Sequence, residues 1–320
     1  MKIINPWNGA TIADVATDDA RSVAAKYREA RAAQPRWAAM PIRKRIEAIA
    51  RFRERIVALE ETLARTLTHE VGKPIRQSRN ELKGLLARLD FFLAESARTL
   101  RDEKVLVDHA GRLEERISHE PLGVVANISA WNYPYFVGSN VFVPALVAGN
   151  AVLYKPSEYA TLTGLHIAEL LHESGVPEDV FVPVIGGGEA GAALLRQPVD
   201  GVFFTGSYAT GAKIAAVAGR RMIKVQLELG GKDPSYVRAD ADPLVAAESL
   251  ADGAMYNTGQ SCCSVERIYV HEKIHDAFVQ AFVDTVRGFR AGDPTRDDTY
   301  IGAITRAPQL DVFDAQVRDA

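Results

Sequence analysis

Apolar residues in the first hundred positions recur mostly at intervals of three and four, the period of helices with one buried face. One helix is predicted to start near Asp18-Asp19, with Val23, Ala24 and Tyr27 on one side. A second runs from about Ile42 to Leu67 through Ile46, Ile49, Phe52, Ile56, Leu59 and Leu63. A third runs from about Asn80 to Ala97 and carries Leu82, Leu85, Leu86, Leu89 and Phe92. Gly72-Lys73-Pro74 separates the second from the third.

The pattern changes over residues 103–121. Val105-Leu106-Val107 and Leu113-Glu114-Glu115-Arg116-Ile117 flank Asp108-His109-Ala110-Gly111, which predicts a hairpin with a Gly-bearing turn. From Gly123 onward short apolar runs alternate with helical patterns. The strand candidates are Val124–Ile128, Ala151–Tyr154, Val180–Ile185, Gly201–Phe204, Lys224–Leu227 and Pro234–Val237. This rhythm predicts an α/β fold with a doubly wound parallel sheet. A further strand, Arg267–Val270, and a helix from about Ile274 predict a second α/β unit. Pro308 to Ala320 reads as a helix without a Gly or Pro stop, so the chain is expected to be a fragment.

A length of 320 residues suits about two domains. The net charge of −3 gives no electrostatic reason to bind nucleic acid or an anionic membrane. The basic stretch from Arg43 to Arg55 is interleaved with Ile46, Ile49 and Phe52, so it reads as a solvated helix face. The most apolar stretch, Val141 to Tyr154, is interrupted by Pro144, Gly149 and Asn150 and is too short to span a bilayer. No apolar run follows the N-terminal Met1-Lys2-Ile3-Ile4-Asn5-Pro6, so no signal peptide is expected. The two cysteines are adjacent, which offers no disulfide framework, and a cytoplasmic location is the expectation.

Several segments carry candidate chemistry. Gly186-Gly187-Gly188-Glu189-Ala190-Gly191 follows a strand and opens a helix, as a pyrophosphate-binding turn does. The acidic residue expected after the next strand is absent, because Gly201–Phe204 leads into Thr205-Gly206-Ser207. A second glycine turn, Thr205 to Gly211, serves equally well, and residue physics alone does not rank the two. His271-Glu272-Lys273-Ile274-His275 matches a zinc signature literally, but His271 ends a strand and no third ligand is evident; no metal is expected.

Cys262 and Cys263 follow Gly259-Gln260-Ser261, a poor core sequence. They read either as buried small hydrophobes or as a thiolate nucleophile on a loop. Glu228, amid apolar strand residues and ahead of Gly230-Gly231, reads as an ion-paired strand end or as a general base with a burial-raised pKa. Asn132, in Trp131-Asn132-Tyr133-Pro134, reads as a turn former or as an amide donor to an oxyanion.

Seven segments in order resemble the aldehyde dehydrogenase superfamily. They are Pro121-Leu122-Gly123-Val124, Trp131-Asn132-Tyr133-Pro134, Pro144-Ala145-Leu146 to Gly149-Asn150, Lys155-Pro156-Ser157-Glu158, Phe204-Thr205-Gly206-Ser207, Leu227-Glu228-Leu229-Gly230-Gly231-Lys232 and Gly259-Gln260-Ser261-Cys262. The resemblance covers the chain from about Asn5 to its end and implies oxidation of a small-molecule aldehyde to the acid with NAD, NADP being possible. It implies catalytic roles for Cys262 as nucleophile, Glu228 as base for the hydrolytic water and Asn132 as oxyanion donor. Cofactor-binding positions would be Trp131, Lys155, Glu158, Gly188, Gly206, Ser207, Gly211 and Leu229. On this resemblance the second glycine turn takes the pyrophosphate and Gly188 lies nearer the adenine. Residues 1–102 and 122–230 would form the coenzyme-binding domain, 103–121 an oligomerisation hairpin, and 231–320 the N-terminal part of a catalytic domain. Family chains usually continue further, and the full-length parent is expected to form a homodimer or homotetramer. Tyr133 and Phe136 would line an apolar entry tunnel. The other reading is a catalytically silent fragment or pseudoenzyme that keeps only the cofactor-binding fold.

Overall fold

The computed structural model describes residues 1–107, 111 and 113–319. In chain order its elements are β1 (Lys2–Ile4), β2 (Thr11–Asp14), α1 (Ala20–Ala38), α2 (Ile42–Ala58), α3 (Glu60–Val71), α4 (Ile75–Thr99), β3 (Glu103–Val107) and β4 (Glu114–Ile117). There follow β5 (Val124–Ile128), α5 (Pro134–Val147), β6 (Ala151–Lys155), α6 (Thr161–Glu173), β7 (Phe181–Pro183), α7 (Gly188–Arg196), β8 (Gly201–Thr205), α8 (Tyr208–Arg221) and β9 (Lys224–Glu228). The last are β10 (Asp233–Val237), α9 (Pro243–Met255), β11 (Val265–Val270), α10 (His275–Gly288) and α11 (Pro308–Asp319).

The chain divides into two compact units. One holds Met1, Ala16–Glu60 and Glu81–Glu228; the other holds Lys2–Val15, Glu61–Asn80 and Leu229–Ala320. These boundaries do not coincide with those read from the sequence, since 2–15 and 61–80 group with the C-terminal segment.

The first unit is built on a five-stranded parallel sheet ordered β7-β6-β5-β8-β9. Every residue of β5 and β6 is buried, so these central strands are covered on both faces. α1 packs with α7 and against β5, β6 and β7, while α2, α5 and α6 pack on one another. Phe142 joins these layers, with ring centroids 6.2 Å from Phe52, 5.6 Å from Tyr154 and 5.3 Å from Phe181. The start of α1 near Asp18-Asp19 is found as expected. Asp19 is the N-cap, and its carboxylate accepts from the Ser22 N–H at 2.7 Å. β3 and β4 pair antiparallel, Glu103 opposite Ile117, and both strands are exposed throughout. Of the expected hairpin turn, Asp108, His109 and Ala110 lie outside the described residues; Gly111 has a left-handed φ of +66°.

The second unit contains a β10-α9-β11-α10 sequence in which β10 and β11 pair in parallel. Val237, Ala247 and Phe278 form one small apolar cluster within it. β1 and β2 form an antiparallel pair that the sequence pattern did not suggest.

Three expectations need correction. The helix drawn from Ile42 to Leu67 is two helices that meet at Leu59, whose φ of −113° and ψ of 12° leave the helical range. Leu59 continued the apolar period, yet it is exposed, so its side chain does not hold the register. The third helix begins at Ile75 rather than Asn80, because Pro74 precedes the first helical residue and leaves no helix-interior N–H unmet. Strand Pro234–Val237 pairs with β11 and takes no place in the five-stranded sheet.

Candidate functional site

In the first unit the candidate residues gather at the carboxyl edge of the parallel sheet. Ile128 pairs with Lys155 on one side and Phe204 on the other, and Thr205 pairs with Glu228, so four strands end nearly in line. From β5 the chain winds outward through β6 to β7, then returns to place β8 on the other side of β5. The order therefore reverses between β5 and β8. Loops at such a switch point diverge and leave a crevice for a ligand. The two loops bordering it are Trp131-Asn132-Tyr133 after β5 and Gly206-Ser207 after β8. The turn Gly186–Gly191 follows β7, an edge strand, and lies off this switch point.

The Gly206-Ser207 turn is tightly built. The Gly206 N–H donates to the Glu228 carbonyl at 2.9 Å. A Cβ on Gly206 would lie 2.5 Å from the Phe204 ring, so only glycine fits without moving that ring. Ser207 is the N-cap of α8: its Oγ accepts from the Thr210 N–H at 3.4 Å, and its carbonyl from the buried Gly211 at 2.9 Å. The N–H groups of α8's first turn thus face the carboxyl edge, where a helix start favours an anion. At the other turn, Gly186 has a φ of +141° and closely approaches Ala190, whereas Gly188 is exposed as the first residue of α7.

Lys155 ends β6 with its side chain buried. Its Nζ donates to the Pro156 carbonyl at 3.1 Å and stands 3.9 Å from the Glu158 carboxylate. Burial holds the ammonium below the ordinary lysine range, and the Glu158 charge opposes that shift. The Lys155 stem runs along the start of α7, where a Cβ on Gly191 would meet it at 3.5 Å. Trp131 makes an edge contact with Tyr159, ring centroids 6.4 Å apart. These groups fit a nucleotide: an anion-favouring helix start, a buried cation beside an acceptor carboxylate, and an aromatic wall.

Asn132 is half-buried, and its Oδ1 accepts from the Tyr133 N–H at 3.1 Å. α5 begins two residues later without a side-chain cap from its own N-cap Tyr133. The cap comes from Glu81, a buried residue of α4. Its Oε1 accepts from the N–H groups of Tyr135 at 2.9 Å and Phe136 at 3.2 Å. Glu81 therefore fixes the helix start on which Asn132 hangs. In the sequence it directly precedes the apolar helical series Leu82, Leu85 and Leu89 and reads only as a polar helix residue. Phe136 faces the Arg88 guanidinium at 5.4 Å.

Glu228 does not meet the expectation of a buried carboxylate. It lies at the end of edge strand β9, most of which is exposed, and its Oε1 accepts from Gln226 at 3.3 Å. Among the described residues β9 has one neighbouring strand, β8, and α8 packs against it, which leaves the end of the strand open to solvent. Leu229, next in sequence, opens the second unit and is half-buried.

The second unit presents the cysteines. Cys262 and Cys263 are free and exposed, which rules out the reading of inert buried thiols. Before them lies a left-handed stretch: φ is +54° at Asn257, +58° at Thr258 and +74° at Gly259. For the two non-glycine residues this conformation costs roughly 1–2 kcal/mol each, so the surroundings must hold it. Gln260 does part of this with both ends of its amide. Its Nε2 donates to the carbonyls of Asn257 at 3.1 Å and Ala303 at 3.2 Å, while its Oε1 accepts from the Thr305 N–H at 2.9 Å. The Thr258 hydroxyl accepts from the Gly302 N–H at 3.0 Å. A Cβ on Gly231 would lie 2.3 Å from the Cys262 carbonyl oxygen, which explains the glycine: the Cys262 backbone occupies that space.

Although exposed, the Cys262 thiol is held above the ordinary range, first by desolvation and then by the electrostatic effect of the adjacent Cys263 side chain. In this state it is predominantly a thiol at neutral pH. His271 accepts from the Lys273 N–H at 3.2 Å and His275 pairs with Asp276 at 3.0 Å, so each has a local structural role.

Known families and solved structures match this chain along nearly its whole length. The aldehyde dehydrogenase family profile matches residues 1–320. A Mycobacterium ulcerans protein provisionally named succinate-semialdehyde dehydrogenase [NADP(+)] 2 is 34% identical over 314 residues, 98% of this chain and 61% of the relative. The aldehyde dehydrogenase KauB from Pseudomonas aeruginosa superposes with a TM-score of 0.95 at 32% identity, over 99% of this chain and 65% of that one. P. syringae AldA, an indole-3-acetaldehyde dehydrogenase whose mutant was solved with NAD+ and IAA, gives a TM-score of 0.94 at 32% identity, over 99% and 65%. The chain thus spans about three fifths of the length of the first of these relatives. By the profile matched along its whole length, this chain belongs to the aldehyde dehydrogenase family.

Proposed function

We propose that the protein to which these residues belong oxidises an aldehyde to the carboxylic acid with NAD(P), using Cys262 as the nucleophile. The observation that carries this reading is the free, exposed Cys262 at the end of a strained loop held by several hydrogen bonds. An inert thiol gives no reason to maintain such a loop. Support for the cofactor comes from the β5/β8 switch point with Ser207 at the start of α8, and from relatives whose names specify NADP or NAD. When bound, NAD(P) supplies the hydride acceptor.

In this reading the Cys262 thiol loses its proton and its sulfur bonds to the aldehyde carbon. The Asn132 amide and the Cys262 N–H donate to the resulting oxyanion, a contact worth about 3–4 kcal/mol per donor. After oxidation a thioester remains on Cys262. Glu228 takes a proton from water, the hydroxyl adds to the thioester carbon, and the acid leaves as the thiol is restored. Lys155 and Glu158 hold the adenosine ribose, and the acceptor-only Glu158 carboxylate favours NAD over the 2′-phosphate of NADP. Trp131, Gly206, Ser207, Gly211 and Leu229 line the remainder of the cofactor path, with Gly188 nearer the adenine. Tyr133 and Phe136 form an apolar approach that suits uncharged aldehydes. Residues 1–102 and 122–230 serve the coenzyme and 231–320 the catalysis. The exposed apolar residues Val105, Leu106, Val107 and Ile117 of the 103–121 hairpin serve subunit association into a dimer or tetramer.

A second reading is favoured by one observation: Glu228 is exposed on its edge strand. On that reading the 320-residue chain by itself binds nucleotide without turning over. The test is oxidation of a short aldehyde with NAD and NADP side by side, followed by absorbance of the reduced nicotinamide. Cys262→Ala is expected to abolish turnover, by roughly 10⁴-fold, and Cys263→Ala to leave it within about twofold. Loss with Cys263→Ala instead would move the nucleophile. Nucleotide binding with no turnover in the wild-type chain would support the second reading.

A further inference from the structure

The left-handed stretch ahead of Cys262 has an anchor that no motif contains. Gln77, in the first turns of α4, is buried, with 4% of its surface exposed. Its Oε1 accepts from the Asn257 N–H at 2.8 Å, and its Nε2 donates to the Tyr300 carbonyl at 3.0 Å. Asn257 is the first of the three left-handed residues, so its N–H points away from any regular ladder and is satisfied by this side chain. Tyr300 belongs to the segment whose later residues, Gly302, Ala303 and Thr305, bond to Thr258 and Gln260. One amide thus clamps both strips of backbone: the loop that presents Cys262 and the segment that backs it. Gln260 repeats the arrangement from within the loop, bonding Asn257, Ala303 and Thr305 with one amide.

We infer that Gln77 is a positioning residue for Cys262, acting by holding Asn257 in the left-handed conformation from which the cysteine loop departs. It touches no reacting atom. Its effect passes through the Asn257 N–H, along Thr258 and Gly259, to the backbone of Cys262 packed against Gly231. The inference rests on Cys262 as the nucleophile only for its catalytic meaning; the clamp itself is independent of that reading.

The test uses the 320-residue chain and needs no turnover. Gln77→Met keeps the length and burial but removes both hydrogen bonds. Gln77→Glu keeps an acceptor for the Asn257 N–H. Two quantities are measured: amide hydrogen exchange over residues 256–263, and the ratio of iodoacetamide alkylation at Cys262 to that at Cys263, mapped by mass spectrometry. Gln77→Met is expected to speed exchange over 256–263 by about tenfold while β5, β6 and β8 keep wild-type protection. It is also expected to shift the alkylation ratio by about threefold or more, which a remote packing defect would not do. Gln77→Glu restores both toward wild type. Wild-type exchange and ratio in Gln77→Met overturn the inference, as do equal effects of the two variants, which would assign Gln77 a packing role. If Gln77→Met does not fold, Gln77→Glu decides: retained protection of Asn257 supports the clamp, and lost protection overturns it. Failure of the dehydrogenase reading would show separately, as activity insensitive to Cys262→Ala.

Discussion

The β5-to-β9 sheet and the Cys262 loop place functional groups by opposite means. At the sheet, positions follow from regular structure: parallel strands in register end nearly in line, and each loop inherits its place from a buried strand. At the cysteine loop, three successive left-handed residues are held by Gln77 reaching in from α4 and by the side chains of Gln260 and Thr258 reaching out from the loop itself. A sheet edge needs only apolar strands of the right period. A strained loop needs a particular partner for each N–H it leaves out of a ladder. The first arrangement suits a cofactor bound across several loops. The second suits one atom that must be presented in one direction.

If the loop depends on close contact, the largest effect comes from crowding it. Gly231→Ala puts a methyl 2.3 Å from the Cys262 carbonyl and must move one backbone or the other. It is expected to reduce kcat by about 10²-fold at a stability cost of roughly 1–3 kcal/mol. Steady-state kinetics and a thermal melt check the two numbers; unchanged kcat would show that the loop tolerates displacement. On the sheet side the comparable handle is gentler. Glu81→Ala removes the cap from the Tyr135 and Phe136 N–H groups, at a cost of about 1–3 kcal/mol. Because α5 retains its packing, kcat should fall only about tenfold, through Asn132, with little change in cofactor KM. A large rise in cofactor KM would mean instead that the cap supports the nucleotide crevice. The smallest effect concerns the resting thiol. Its raised pKa leaves less thiolate at neutral pH, so Cys262 alkylation should still be climbing above the ordinary thiol range. A midpoint below that range in the free chain would contradict the raised pKa and point to a cation that activates the thiol.

The same contrast explains what the sequence revealed. Strands β5 and β6 were legible as apolar runs because both faces are buried, β8 because most of it is, and the start of α1 because Asp19 is a side-chain cap. The break at Leu59 was hidden because an apolar residue preserved the period while its backbone left the helix. Glu228 was legible as out of pattern but not as exposed, since edge position is a property of strand order. Gly231 and Gln260 were visible as motif members, but their physical reasons, a carbonyl at 2.3 Å and a three-way amide bridge, required coordinates. Gln77 and Glu81 gave no signal stronger than a polar residue on a helix, because their partners are backbone N–H groups far away in sequence.

The central claim is that Cys262 carries the acyl group and Glu228 is needed only to release it. The most direct measurement is mass mapping of Glu228→Gln protein quenched after a single exposure to aldehyde and NAD. The account predicts one equivalent of acyl group on the peptide containing Cys262, attached to that residue, with a matching burst of reduced nicotinamide and no further turnover. An acyl group on Cys263, or no acyl group and no burst, would contradict it.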